Sequence, residues 1–225
     1  MLANMSHEIR TPITSINGFA EILMESLEGR MGTFAERIYQ SGQRLMETLD
    51  SVLMISRLET GLQDLNQAQV RLGQTVEEAA EVIPPEIRKK QINLRVEIER
   101  DVEGTFSPAS VRRIAENLLE NGVKFTPAGG QVTARIQEEA ETAALEVEDT
   151  GVGIDEEALS TTFEPFRQAS EGQDREHEGI GLGLAVTKKI IGQMGGSINV
   201  ETEEGRGSRF TVRLPQAERA SGKTR

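Results

Sequence analysis

The sequence contains no cysteine. Disulfides, zinc–thiolate centres and thiol nucleophiles are therefore excluded, and the absence fits a reducing compartment. There is no tryptophan and only one tyrosine, beside seven phenylalanines, so stacking of bases on aromatic side chains is not a theme. No run of about 18 apolar residues occurs, and no signal-peptide pattern precedes the first motif. Basic residues are outnumbered, 25 Lys and Arg against 37 Asp and Glu, for a formal net charge of -12. Such a surface disfavours broad contact with nucleic acid or an anionic membrane, because both depend on Lys and Arg. It leaves open a local nucleotide site, where backbone amides and a cation dominate. What remains is a chain of 225 residues, 36% hydrophobic, enough for one or two domains with real cores.

Histidine is scarce too, present only as His7 and His177. The first stands in "MSHEIRTP" (5–12), followed by Glu8, and Thr11 comes one helical turn later. Around it Ile9, Ile13, Ile16, Ala20, Leu23 and Leu27 recur in steps of three and four; Phe34, Ile38, Leu45, Leu49, Val52 and Leu53 do likewise after "EGRMG" (28–32). This spacing predicts two helices, each with one apolar stripe, joined by a short turn into an antiparallel hairpin over residues 1–62. A lone hairpin has too little core. Pairing with a second copy would bury both stripes in a four-helix bundle, so a homodimer is expected. Pro12 should bend the first helix by freeing a carbonyl near residue 8.

Residues 63–69 read as a linker, and beyond them the period changes. Helical stretches near 73–90, 108–125, 155–162 and 181–194 interleave with period-two segments such as "QVTARI", "ALEVED", "SINVET" and "SRFTVRL". Alternation implies a half-buried sheet with helices on its inner face. The expectation for residues 70–215 is an α/β sandwich, making the whole chain α+β. The polar residues 216–225 read as a disordered tail. "SGKT" (221–224) lacks the first glycine of a P-loop, and "GIGLGL" (179–184) lacks the third glycine of the dinucleotide fingerprint, so neither carries that function.

Four stretches of the second region suit one nucleotide pocket. In "ENLLENGVKFT" (116–126), Asn117, Asn121 and Lys124 share a helix face. Amide oxygens are hard ligands suited to Mg²⁺, which leaves most of its coordination to water and phosphates, and Lys124 would reach phosphate as a point charge. In "EDTGVGI" (148–154), Asp149 ends an alternating strand, and Gly151 and Gly153 allow the backbone close to a flat ligand. A buried carboxylate accepts adenine's amino hydrogens and is mismatched to guanine's carbonyl. The long polar stretch 163–184 reads as a lid. Within it Gly179, Gly181 and Gly183 offer amides at a helix start, and Arg167 and Arg175 are candidates for the terminal phosphate. "EEGRGSRF" (203–210) reads equally as a hairpin or a pocket wall.

Taken in order, these motifs resemble the catalytic core of the sensor histidine kinases. "SHEIRTP" is similar to that family's H-box, "NLLENGVKFT" to its N-box, "DTGVGI" to its G1 box, "FEPF" to its F-box and "GIGLGL" to its G2 box. The resemblance reaches to about Pro215. It implies a dimerisation and phosphotransfer hairpin, then an ATP-binding domain of the fold shared with gyrase and the Hsp90 chaperone. It further implies ATP and Mg²⁺ as ligands, with Asn121 on the metal. His7 is the implied phosphoacceptor and Glu8 its proton acceptor; Thr11 would orient water for dephosphorylating a partner. That partner is the receiver domain of a response regulator, expected on the exposed hairpin face around Asn17, Glu21 and Met24. The resemblance also implies a cytoplasmic core without direct membrane contact, its sensor lying outside this chain. Glu178 and Ile180 depart from the family pattern, where glycine and Thr or Ser are frequent. Two other classes share parts of it: a dimeric pseudokinase that holds a regulator without turnover, and an ATP-driven clamp, which Asn117 opposes because clamps carry a water-activating Glu there.

Overall fold

The computed structural model describes residues 2–60, 66–83, 90–167 and 181–216, with residues 2–7 as backbone only. It divides into two compact units, Met1–Leu62 and Gln63–Arg225.

The first unit is a helical hairpin of α1 (Leu2–Ser26) and α2 (Gly29–Glu59). The link is only Leu27 and Glu28, shorter than the expected 28–32 turn, because Gly29 begins α2 at φ 65. Pro12 lies inside α1 without interrupting it. Ile13, Asn17 and Ala20 are buried on α1, as are Ala35, Gly42, Leu53 and Leu58 on α2, while Arg10 pairs with Asp50 at 2.7 Å. The rest of the apolar stripe stays open: Ile16 is 50%, Ile38 47% and Leu45 53% exposed. Asn17 does not belong to an exposed partner face as expected. Its amide is pressed against Gly42, where no Cβ would fit. Glu21 and Met24 are exposed, as are Phe19 and Ile22.

The second unit has the expected layered form. A five-stranded sheet runs in the order β2 (Asn93–Ile98), β4 (Gln131–Glu139), β5 (Thr142–Asp149), β7 (Gly207–Pro215), β6 (Ser197–Glu203). Among the described strands only the β2–β4 pair is parallel. β1 (Ala68–Arg71) pairs with β3 (Glu103–Phe106) in a small separate sheet, so Ala68 and Gln69 belong to a strand rather than to the expected linker. Helices α3 (Leu72–Glu81), α4 (Pro108–Phe125), α5 (Glu156–Thr161) and α6 (Gly183–Gln193) complete the described elements. Gln216 donates its N–H to the Glu141 carbonyl, so the bound chain extends one residue beyond Pro215.

Period-two alternation sorts the two sheet faces. Val132, Ala134, Ile136, Leu145, Val147, Phe210, Val212 and Leu214 all point inward and are buried beneath the helices. The opposite face carries an ion-pair row. Arg135 reaches Glu97, Glu146 and Glu148 at 3.0, 2.8 and 2.6 Å, and Arg209 joins Glu148 at 2.6 Å. Local chemistry fixes the start of α4: the Ser107 hydroxyl accepts from the Ser110 N–H, and Pro108 occupies the first turn, where its missing N–H costs nothing.

Candidate functional site

Asp149 is the last inward residue of β5, in line with Ala143, Leu145 and Val147. Alternation thus carries a carboxylate into a mostly apolar layer, where it is 7% exposed. Its Oδ1 accepts the Gly151 N–H at 2.8 Å, and the Ser208 backbone N–H also donates to the carboxylate. Burial pushes its pKa up; those two amides and the neighbouring Glu148 act more weakly. Glu148 faces the other side, where Arg135 and then Arg209 hold its carboxyl below the usual range.

Helix α4 meets this strand end through Gly122. A Cβ there would stand 3.0 Å from Val132 Cγ1 and 3.7 Å from Asp149 Cβ, so a larger residue would push helix and strand apart. The close approach falls between the half-buried Asn121 and Lys124 in the sequence of α4. The last turn of α4 is tied down on two sides. Lys90 Nζ donates to the Lys124 carbonyl at 2.8 Å, and the Val152 N–H to the Phe125 carbonyl at 3.2 Å, satisfying acceptors that a helix end leaves orphaned. Lys124 Nζ lies 5.0 Å from the centre of the Phe125 ring.

The turn after Asp149 is built against the β6–β7 hairpin. Gly153 sits at φ 71, and a Cβ there would strike the Glu203 carbonyl. Gly207, at φ 104, faces the Asp149 carbonyl equally closely. Thr202 Oγ1 accepts the Ile154 N–H at 2.9 Å and lies 2.9 Å from Ser208 Oγ. The stretch "EEGRGSRF" is therefore both a hairpin and a wall of the Asp149 turn. Gly122, Thr202 and Ser208 are the site residues that motif reading passes over. Ser208 carries a readable signal, since it is the polar member of the inward series Ser208, Phe210, Val212, Leu214.

Asn117 lies one turn before Asn121 and is buried. Its Nδ2 donates to the Gly183 carbonyl at 3.2 Å and to Thr187 Oγ1 at 3.1 Å, both on α6. Gly181 stands two residues before that helix at φ 70, and its carbonyl accepts the Phe166 N–H at 3.0 Å. Arg167 pairs with Glu164 at 3.4 Å. Arg175, His177, Glu178, Gly179 and Ile180 lie outside the described residues. Of the hairpin candidates, Glu8 and Thr11 are exposed on α1. His7 belongs to the same helix by its backbone; its side chain lies outside the described set.

Two family profiles match the chain. One is the His Kinase A (phospho-acceptor) domain, over residues 1–61; the other is the histidine kinase-, DNA gyrase B- and HSP90-like ATPase, over residues 107–218. The chain belongs to the sensor histidine kinases. It corresponds to their catalytic core. The circadian input-output histidine kinase CikA of Thermosynechococcus vestitus is 36% identical over 221 residues, 95% of this chain and 30% of that protein. The autoinducer 2 sensor kinase/phosphatase LuxQ of Vibrio vulnificus is 34% identical over 227 residues, 95% of this chain and 26% of that protein. The core thus spans less than a third of these curated relatives. The crystal structure of full-length ShkA in complex with AMPPNP superposes with a TM-score of 0.80 at 29% identity, covering 96% of this chain and 45% of that one. Among the described residues, no helix is long and apolar enough to cross a membrane.

Proposed function

We propose that this core is an ATP-dependent protein-histidine autokinase of a two-component system, phosphorylated on His7. The observation that carries the reading is the junction of α4 with the end of β5. There a buried Asp149 carboxylate meets α4 at Gly122, the residue that follows Asn121 and comes two before Lys124. An adenine amino group would donate to Asp149, with Gly151 and Gly153 letting the backbone approach the ring. Gly181 and Gly183, with Gly179 and Arg175 of the preceding stretch, would serve the phosphates. The AMPPNP complex of the ShkA relative supports an adenine nucleotide here.

Mg²⁺ fits this donor set. Among the described residues no group of three or more His, Cys, Asp or Glu side chains could cage a metal. A single amide oxygen from Asn121 suits an ion that takes its other ligands from phosphates and water. Bound there, it would neutralise charge on the phosphoryl oxygens. The residues of the chain do the rest. A ring nitrogen of neutral His7 attacks the γ-phosphorus; the N–P bond forms as the bond to the β,γ-bridging oxygen breaks, and ADP leaves with the electron pair. The proton on the other ring nitrogen passes to Glu8. An aspartate of a response-regulator receiver domain then takes the phosphoryl group.

The receiver would dock on the exposed part of α1 around Glu21 and Met24. Thr11 would orient water in a second, phosphatase activity, which the similarity to the sensor kinase/phosphatase LuxQ supports. The open stripe of Ile16, Ile38 and Leu45 is the surface a second copy would cover in a four-helix bundle. The core is expected to act in the cytoplasm.

The test is incubation with γ-labelled ATP and Mg²⁺. The expected product is an acid-labile, alkali-stable label that both His7→Gln and Asn121→Ala abolish. Nucleotide binding without label would favour the pseudokinase; phosphate release without a protein phosphoramidate would favour the clamp.

A further inference from the structure

Thr187 is a hydroxyl in the wrong place for solvent. It is fully buried on α6, among Ala185, Val186, Ile190 and Ile191. A buried hydroxyl needs a partner, and this one has the amide of Asn117, 3.1 Å away on α4. The same amide nitrogen reaches the Gly183 carbonyl at 3.2 Å. Gly183 and Thr187 are four residues apart, hence on one face of α6, and Asn117 bridges them. Its amide oxygen and carbon lie 3.7 and 3.8 Å from where a Gly183 Cβ would stand, so the two helices touch at this point.

The position of this clamp gives it a consequence for ligand binding. Gly183 opens α6, whose first amides are left without intrahelical acceptors. One turn along α4, about 6 Å from Asn117, stands Asn121. The clamp therefore sets the distance between the free amides of α6 and the amide oxygen on α4. Asp149, by contrast, is held by Gly151 and Ser208, and by the approach of Gly122. The two ends of the proposed nucleotide site are fixed by different contacts.

We infer that Thr187 is a positioning residue for the phosphate end of the site: through Asn117 it holds the start of α6 at the distance from Asn121 that a Mg²⁺–polyphosphate spans. This rests on the ATP reading above. Valine is the informative replacement, because it keeps the shape of threonine and suits the apolar surroundings, yet removes one of the two acceptors of the Asn117 amide.

The experiment is calorimetric titration of the full chain with adenosine, and with ADP in the presence of Mg²⁺. Thr187→Val should weaken ADP by about fivefold to tenfold, the equivalent of one neutral hydrogen bond. Adenosine should stay within about twofold, since the Asp149 end is untouched. Thr187→Ser should restore ADP binding, and in the labelling assay Thr187→Val should raise KM while leaving kcat nearly unchanged. Equal weakening of adenosine and ADP, or no change in either, would overturn the assignment. If Thr187→Val does not fold, Asn117→Asp poses the same question by turning the donor into an acceptor aimed at the Gly183 carbonyl, and the same unequal loss is expected. A wild-type chain that binds neither ligand would instead remove the ATP reading itself.

Discussion

Asp149→Asn tests the nucleotide site most directly, because its two expected effects have opposite signs. The Gly151 and Ser208 N–H groups already donate to the carboxylate, the first of them to Oδ1. Carboxylate oxygens have lone pairs to spare, so an adenine amino group can be added as a third donor. Asparagine has one acceptor oxygen, and its NH₂ must face one of these three donors. At least one charge-assisted hydrogen bond is lost, about 1.5–3 kcal/mol, or roughly 10- to 150-fold in ATP affinity. The opposite effect concerns the empty protein. Burial raises the Asp149 pKa above its ordinary value of 3.8, so the folded state holds the proton more tightly than the unfolded chain. The penalty for the charge is absent below pH 3.8 and complete above the raised folded value. The stability of the variant relative to wild type should therefore improve as pH rises through that window. Calorimetric titration with ATP, and thermal unfolding from pH 3 to about 7, measure the two halves. ATP affinity within about threefold of wild type, or a stability difference that is flat with pH, would refute the reasoning.

Two further perturbations probe what holds the site in place. Lys90→Met removes the donor to the Lys124 carbonyl at the end of α4 and should cost about 1 kcal/mol, with Lys90→Arg recovering most of it; urea unfolding reads both. Arg135→Gln removes one of the two guanidinium groups that Glu146 and Glu148 share on the outer sheet face, leaving that of Arg209. The expected cost near neutral pH is about 1–2 kcal/mol, given the partial exposure of the row. Because Arg135 and Arg209 hold the Glu148 carboxyl below its ordinary 4.5, that contribution is present above pH 4.5 and lost as pH falls through the depressed folded value. Acid unfolding of Arg135→Gln should accordingly have a shallower pH dependence than wild type.

Much of the site was written in short-range patterns. The change from a 3.6-residue to a two-residue period separated hairpin from sheet, since each period reflects a single element meeting a single buried surface. Alternation along β5 placed Asp149 on the inward face without any knowledge of its neighbours. Helical spacing put His7 and Thr11 on one face of α1, and Asn117, Asn121 and Lys124 on one face of α4. The motifs at 148–154 and 181–184 were legible because glycine at positive φ is a local necessity, as Gly153 and Gly181 illustrate.

Tertiary structure decided which partners those residues met. The resemblance implied that Asn17 lies on the exposed partner face of the first helix, but the absence of a side chain at Gly42 lets the second helix close over it. Asn117 shared a face with Asn121, yet its amide nitrogen is engaged by an α6 residue 70 positions away. Ser208 joins Asp149 because the register of β5 with β7 pairs them, and Gly122 matters because α4 crosses that strand end. Arg135 gathers carboxylates from two other strands. In each case the deciding contact joins residues distant in sequence. Periodicity specifies the face on which a side chain lies; register and helix approach, set by the packing of the whole core, specify what it touches there.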